Sequence, residues 1–239
     1  MSQTLSPTLL THPRTSPSKP APQAAGSGMS REQSPGEELA NSWSHGLGAV
    51  LAAIFLPQLI SNASRAGTVH GIAAAVFGLS MILLYSISAA YHWLPQGAMK
   101  NLMRRLDHGA IFLFIAGSYT PFMLGSVADS GGLWLLVVVW TFAGIGTAAK
   151  CADRLKHPYV STGLYLGLGW LSVFVLEPLI VKTPPTGVML ILGGGVLYTL
   201  GAIVFHFDEK IRYAHFVWHL LVLSASACHF LAVLHYAIV

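Results

Sequence analysis

Seven apolar stretches dominate the chain, at about residues 41–61, 68–94, 107–126, 131–149, 158–177, 186–206 and 213–237. Each is close to the ~20 residues that a helix needs to cross a hydrocarbon core about 30 Å thick. In hydrocarbon every backbone N–H and C=O must be paired within the chain, so runs of this length fold as helices rather than open sheets. The composition agrees. The chain is 54% hydrophobic and only 9% charged, against about 25% charged for an ordinary soluble domain. A soluble fold so poor in charge could not cover its own surface. The expected class is all-α integral membrane, a seven-transmembrane helix bundle.

The polar residues are distributed unevenly around these stretches. Residues 1–36 are rich in Ser, Thr, Pro, Gly and Gln and show no apolar period, which predicts a disordered cytoplasmic tail ahead of a membrane domain at 37–239. The basic residues fall on alternate sides of the spans. Arg14, Lys19, Arg31, Lys100, Arg104, Arg105, Lys150, Arg154, Lys156, Lys210 and Arg212 share one side, and only Arg65 and Lys182 lie on the other. The positive-inside rule then places the N-terminus in the cytoplasm and the C-terminus outside. The net charge of +4 is accordingly a topology signal, and no nucleic-acid partner is expected. The two cysteines, Cys151 and Cys228, have neither metal-ligand spacing nor a disulfide pattern. The Gly193–Gly195 run suits close helix packing in a membrane.

With this topology the polar groups of four spans meet at one depth. His215 and His219 lie at the cytoplasmic end of the seventh span, four residues apart and on one helix face. His92 lies at the same end of the second span, with Ser88 one turn before it. Asp107 and His108 open the third span. Glu38, Asn41 and His45 share a face at the start of the first. Ionisable groups inside a membrane are costly and usually face the bundle interior. Three imidazoles on two helices offer three nitrogen ligands, the set that an open Zn²⁺ site uses alongside a water. Asp107 is placed to hydrogen-bond or take a proton from that water, and Ser88 to orient a ligand. The competing readings are a metal-free polar network and a proton relay of His and Asp. His229 stands about 21 Å along the helix from His215, too far to share an ion with it, and is expected to line a cavity above the site.

Three blocks of residues carry a family resemblance. They are E-x2-N-x3-H at Glu38, Asn41 and His45; S-x3-H at Ser88 and His92, followed by RLDHGAIFLFIAGSYTPF with Asp107; and H-x3-H at His215 and His219. In this order they resemble the bacterial hemolysin III proteins, within the progestin and adipoQ receptor family, over about residues 37–237. More distantly they resemble alkaline ceramidases, which are membrane zinc hydrolases. The resemblance implies zinc near the cytoplasmic face, held by His92, His215 and His219, with Asp107 in contact through water and Ser88 matching the family serine. It also implies residence in a bacterial inner (plasma) membrane.

Two functions follow as expectations. One is a zinc-dependent hydrolase of a lipid amide or ester, with membrane lipid as substrate, Asp107 as the proton acceptor, and Glu38, Asn41 and His45 supporting the site. The other is a non-enzymatic sensor of membrane state, or a cytolytic or channel-like protein, with structural zinc. No continuous polar stripe runs along a span, which argues against a native pore.

Overall fold

The computed structural model describes residues 31–237, and the expected disordered tail falls almost wholly outside them. Among the described residues eight α-helices form seven spans: α1 (Pro35–Ser64), α2 (Thr68–Trp93), α3 (Ala98–Leu124), α4 (Leu133–Cys151), α5 (Pro158–Trp170), α6 (Leu176–Lys182), α7 (Pro185–Phe205) and α8 (Ala214–Tyr236). No strand occurs among the described residues. The protein is a helical membrane bundle.

The helix starts follow local chemistry. α1 begins at a capping box, in which Ser34 Oγ accepts from Glu37 N and Glu37 accepts from Ser34 N, with Pro35 in the first turn. It therefore starts two residues ahead of the boundary that composition suggests. α5 and α7 also begin at prolines, Pro158 and Pro185. The α3–α4 link is a single wide turn, Ala128–Gly132, in which Gly131 takes φ +91°, a conformation that a Cβ disfavours.

Six spans are long and apolar enough to cross a membrane by length and composition alone. The exception is α3. Its 27 residues are ample in length, but it opens AMKNLMRRLDH, so charge fills its first turns. Lys100, Arg104 and Arg105 fall between the second and third apolar stretches, 68–94 and 107–126, where a loop is expected. They are helical, because Ala, Met, Leu, Lys and Arg all favour helix, and Lys100 is buried. The fifth span is broken rather than continuous. Pro178 has no N–H to give the carbonyl of residue 174 and would clash with it, and the chain relaxes into a 3₁₀ turn at Leu171–Val175 before α6. Tyr119 of α3 accepts from Ser172 N at 2.8 Å and donates to the Leu168 carbonyl at 3.0 Å, so two backbone groups beside the break are paired from a neighbouring helix.

The spans close on themselves. α1 packs along α2 on one side and α8 on the other, α2 along α3, α3 against α4 and α5, α5 against α7, and α7 along α8. Phe77, Tyr85, Phe114, Leu135, Val139 and Val233 are buried between them. Large apolar side chains such as Trp43, Ile54, Val137, Phe174 and Val181 point outward, as a lipid-facing surface requires. One consequence governs the site: the first span is wedged between the second and the last.

Candidate metal centre

At one end of this bundle the C-terminal turn of α2 meets the N-terminal turns of α1 and α8. His92, His215 and His219 are buried there, and one ligand atom from each lies within 4.8 Å of the other two. The ring centroids of His92 stand 5.0 Å from those of both His215 and His219. The two α8 rings are 4.8 Å apart, as one helical turn dictates.

Each ring is fixed through its Nδ1. His92 Nδ1 lies 2.7 Å from Glu38 Oε2 on α1. His215 Nδ1 lies 3.0 Å from Asp208 Oδ2 in the α7–α8 loop. His219 Nδ1 lies 3.1 Å from Ser44 Oγ and 3.3 Å from the Asn41 carbonyl. Ser44 Oγ itself donates to that carbonyl at 2.8 Å, so the serine's lone pairs face the imidazole. Carboxylates and carbonyls only accept, so Nδ1 carries the hydrogen in all three rings. The lone pair is then left on Nε2. His92 Nε2, His215 Nε2 and His219 Nε2 are all buried and have no hydrogen-bond partner. Three orphaned lone pairs on clustered rings are costly in a dry interior and form a donor set suited to a divalent cation. The residues fit a metal.

A further layer of charge backs the rings. Lys100 Nζ reaches Glu38 Oε1 at 2.8 Å, caps the carbonyls of Tyr91 and Leu94 at 3.1 Å each, and sits over the Tyr91 ring. Glu38 thus joins a buried cation to the ring of His92.

Other residues singled out in the sequence are distributed around this core. His45 stacks flat on His219, with centroids 3.6 Å apart and planes 2° apart, and neither of its nitrogens has a partner. Asn41 contributes through its backbone carbonyl, while its side-chain amide donates to Gln33 Oε1 at 2.7 Å. Ser88 is buried, one turn before His92, with an unpartnered hydroxyl. Asp107 is buried on α3 beside Ser88 and makes no hydrogen bond to an imidazole. His229 does not belong to the site. Its Nε2 lies 3.1 Å from the Ile191 carbonyl, and its ring fills the space over Gly194, so it ties α8 to α7 instead of lining a cavity. Gly194 alone of its run is pressed by a neighbour; Gly193 and Gly195 face open space.

Sequence reasoning missed Asp208, Ser44 and Lys100. A ligating histidine needs an acceptor at its second nitrogen. For His215 the acidic pair Asp208–Glu209 just ahead of α8 was the available signal. Ser44, a serine in a helix interior, offered none.

Comparison with known proteins bears on the same residues. The haemolysin-III related family model matches residues 34–230, which takes in every residue of the cluster. The chain belongs to that family. It is 40% identical over 203 residues to Hemolysin-3 of Bacillus cereus, covering 84% of this chain and 92% of that protein. It is 38% identical, over the same share of this chain and 95% of the relative, to the Hemolysin-3 homolog of Bacillus subtilis (strain 168). A more distant relative is the human monocyte to macrophage differentiation factor, 29% identical over 174 residues, 69% of this chain and 70% of that one. The motif-based kinship with the progestin and adipoQ receptor family is consistent with that match.

Proposed function

We propose that the chain is a zinc-dependent membrane hydrolase of a lipid amide or ester, working in membrane homeostasis in a bacterial inner membrane with its N-terminus in the cytoplasm. One observation carries the reading. Three buried imidazoles, each held at Nδ1 by an acceptor and each left with an unpartnered Nε2, bring one ligand atom apiece within 4.8 Å of one another. His92, His215 and His219 would hold the ion. Three protein ligands leave a coordination position open, the arrangement of catalytic rather than structural zinc. When bound, zinc supplies Lewis-acid chemistry, acidifying water and polarising a carbonyl.

The remaining work falls to the chain. Asp107, buried beside Ser88, takes the proton from the attacking water on a carboxylate oxygen and returns it to the leaving group. Ser88 orients that carboxyl or the scissile group with its free hydroxyl. Glu38 and Asp208 keep His92 and His215 in the Nδ1–H tautomer and strengthen them as ligands. Asn41 and Ser44 do the same for His219. His45, stacked on His219 with both nitrogens free, supports the site and offers a donor to a bound lipid headgroup.

Elemental analysis of detergent-purified protein tests the metal. The expected result is close to one zinc per chain, lost in His92→Ala and His219→Ala. Assays against ceramide and phospholipid panels test the chemistry. Activity abolished by Asp107→Ala and His215→Ala supports the reading; variants that match wild type on every substrate overturn it.

A second reading is favoured by the wedge of α1 between the ligand-bearing helices. An ion bridging α2 and α8 would brace the closed bundle, and the protein would act without catalysis, as a sensor of membrane state or in the lysis that its relatives' names describe. Chelation that unfolds the bundle, with no product from any lipid, would select it.

A further inference from the structure

The pose of His215 depends on Asp208, and Asp208 sits in the α7–α8 loop. That loop is anchored from the opposite end of the chain. Glu37, in the first turn of α1, is almost fully buried and its carboxylate collects five contacts. Arg31 donates Nη1 to Oε2 at 2.8 Å and Nη2 to Oε1 at 2.7 Å. Ser34 donates its N–H and its hydroxyl to Oε2 at 2.9 and 2.7 Å. The backbone N–H of Tyr213 donates to Oε1 at 2.8 Å. The same guanidinium reaches the carbonyls of Asp208 and Ile211 at 3.3 and 3.4 Å.

A capping box explains only the Ser34 contacts. Arg31 and Tyr213 are surplus to it, and they connect α1 to the loop. Tyr213 takes φ +60°, ψ 7°, a left-handed conformation that a residue with a Cβ resists. It immediately precedes α8 and stands two residues before His215. The Glu37 carboxylate holds the one N–H that defines this bend, and Arg31 holds two carbonyls of the same loop.

We propose that Arg31 and Glu37 form a clasp that sets the start of α8 and so the pose of His215 and its partner Asp208, making both positioning residues of the three-imidazole site. The inference rests on the metal reading. With the clasp released, Tyr213 relaxes from its left-handed conformation, the first turn of α8 shifts, and His215 Nε2 leaves the other two.

The test uses full-length protein in detergent, as wild type, Arg31→Ala and Glu37→Gln. Gln at residue 37 still completes a capping box, so the start of α1 is kept. Zinc affinity is measured by competition with a chromophoric chelator, ligand geometry by the visible spectrum of the cobalt(II)-loaded protein, and loop order by hydrogen exchange of residues 206–213 in metal-free protein. Both variants are expected to lose about tenfold in zinc affinity, the range typical of lost outer-sphere support. Their cobalt bands should shift, and the loop at residues 206–213 should exchange faster, relative to wild type, than the helices of the same protein. Wild-type affinity and an unchanged cobalt spectrum in both variants overturn the clasp. Should Glu37→Gln not fold, Arg31→Ala decides, because its side chain is 30% exposed and supports no core. Wild-type protein that takes up neither ion refutes the metal reading instead; the loop exchange then decides whether the clasp exists.

Discussion

An imidazole with both nitrogens free can present either one, and in a dry interior it presents whichever finds a partner. Glu38, Asp208 and the Asn41–Ser44 pair remove that choice from three rings at once. They act unequally, because two are carboxylates and one is a carbonyl assisted by a hydroxyl. Charge-assisted bonds are about twice as strong as neutral ones. Glu38→Gln and Asp208→Asn should therefore each weaken zinc binding by roughly 10- to 100-fold. Ser44→Ala should cost much less, since the Asn41 carbonyl still accepts from His219. Chelator competition ranks the three, and Ser44→Ala weakening binding as much as Glu38→Gln would contradict this account. Lys100 is the counterion behind Glu38. Lys100→Met leaves a carboxylate largely buried beside apolar groups, and removal of one member of such a pair costs about 3 kcal/mol. A lower thermal midpoint in Lys100→Met, restored in the Lys100→Met/Glu38→Gln double variant, is the expected pattern.

Among the elements, close approach is concentrated at particular glycines. A Cβ on Gly117 of α3 would lie 2.1 Å from Ser80 Oγ and 2.9 Å from Ser80 Cβ on α2, while one on Gly193 of α7 would meet nothing within 4 Å. Gly117→Val must push α3 from α2 and should destabilise the bundle by about 1–3 kcal/mol; Gly193→Val should leave the thermal midpoint of the purified protein unchanged. Sequence alone did not separate these two positions, because both are glycines in apolar helices. The spans themselves were legible, since length and apolarity are local properties. So were His215 and His219, through a four-residue period, and His92, through the depth that alternating charge assigns it. Two features escaped because they depend on more than apolarity: the charged first turns of α3, where helix propensity and burial of Lys100 outweigh low hydropathy, and the break before Pro178. The partners at Nδ1 escaped for another reason. Asp208 lies only seven residues before His215, within reach of a sequence reading, but Ser44 reaches His219 across the packing of α1 on α8, and no spacing along the chain encodes that contact.

At the scale of the whole molecule, the site links a residue of the second span to two of the last across the first. On the proposed reading an ion held there would bind the folded bundle and not the unfolded chain, and would stabilise the fold by mass action, by about 4 kcal/mol when free zinc is a thousandfold above its dissociation constant. Chelation should lower the thermal midpoint of wild type and leave that of His219→Ala where it is. The site also marks one face of the membrane, and the orientation of the bundle decides which compartment would supply the proposed metal and water. Charge asymmetry argues for the cytoplasm. Cys151 can report on it. The thiol ends α4, is exposed, and lies at the level of Gly109, two residues beyond Asp107 on α3; Thr147 of the same turn donates to the Gly109 carbonyl at 3.0 Å. Cys151 and the imidazoles therefore share an end of the bundle. In a Cys228→Ala background it is the only thiol in the chain. A membrane-impermeant maleimide should label it in inside-out vesicles and not in intact cells. Labelling in intact cells alone would put the three histidines at the outer face and reverse the orientation inferred from the basic residues.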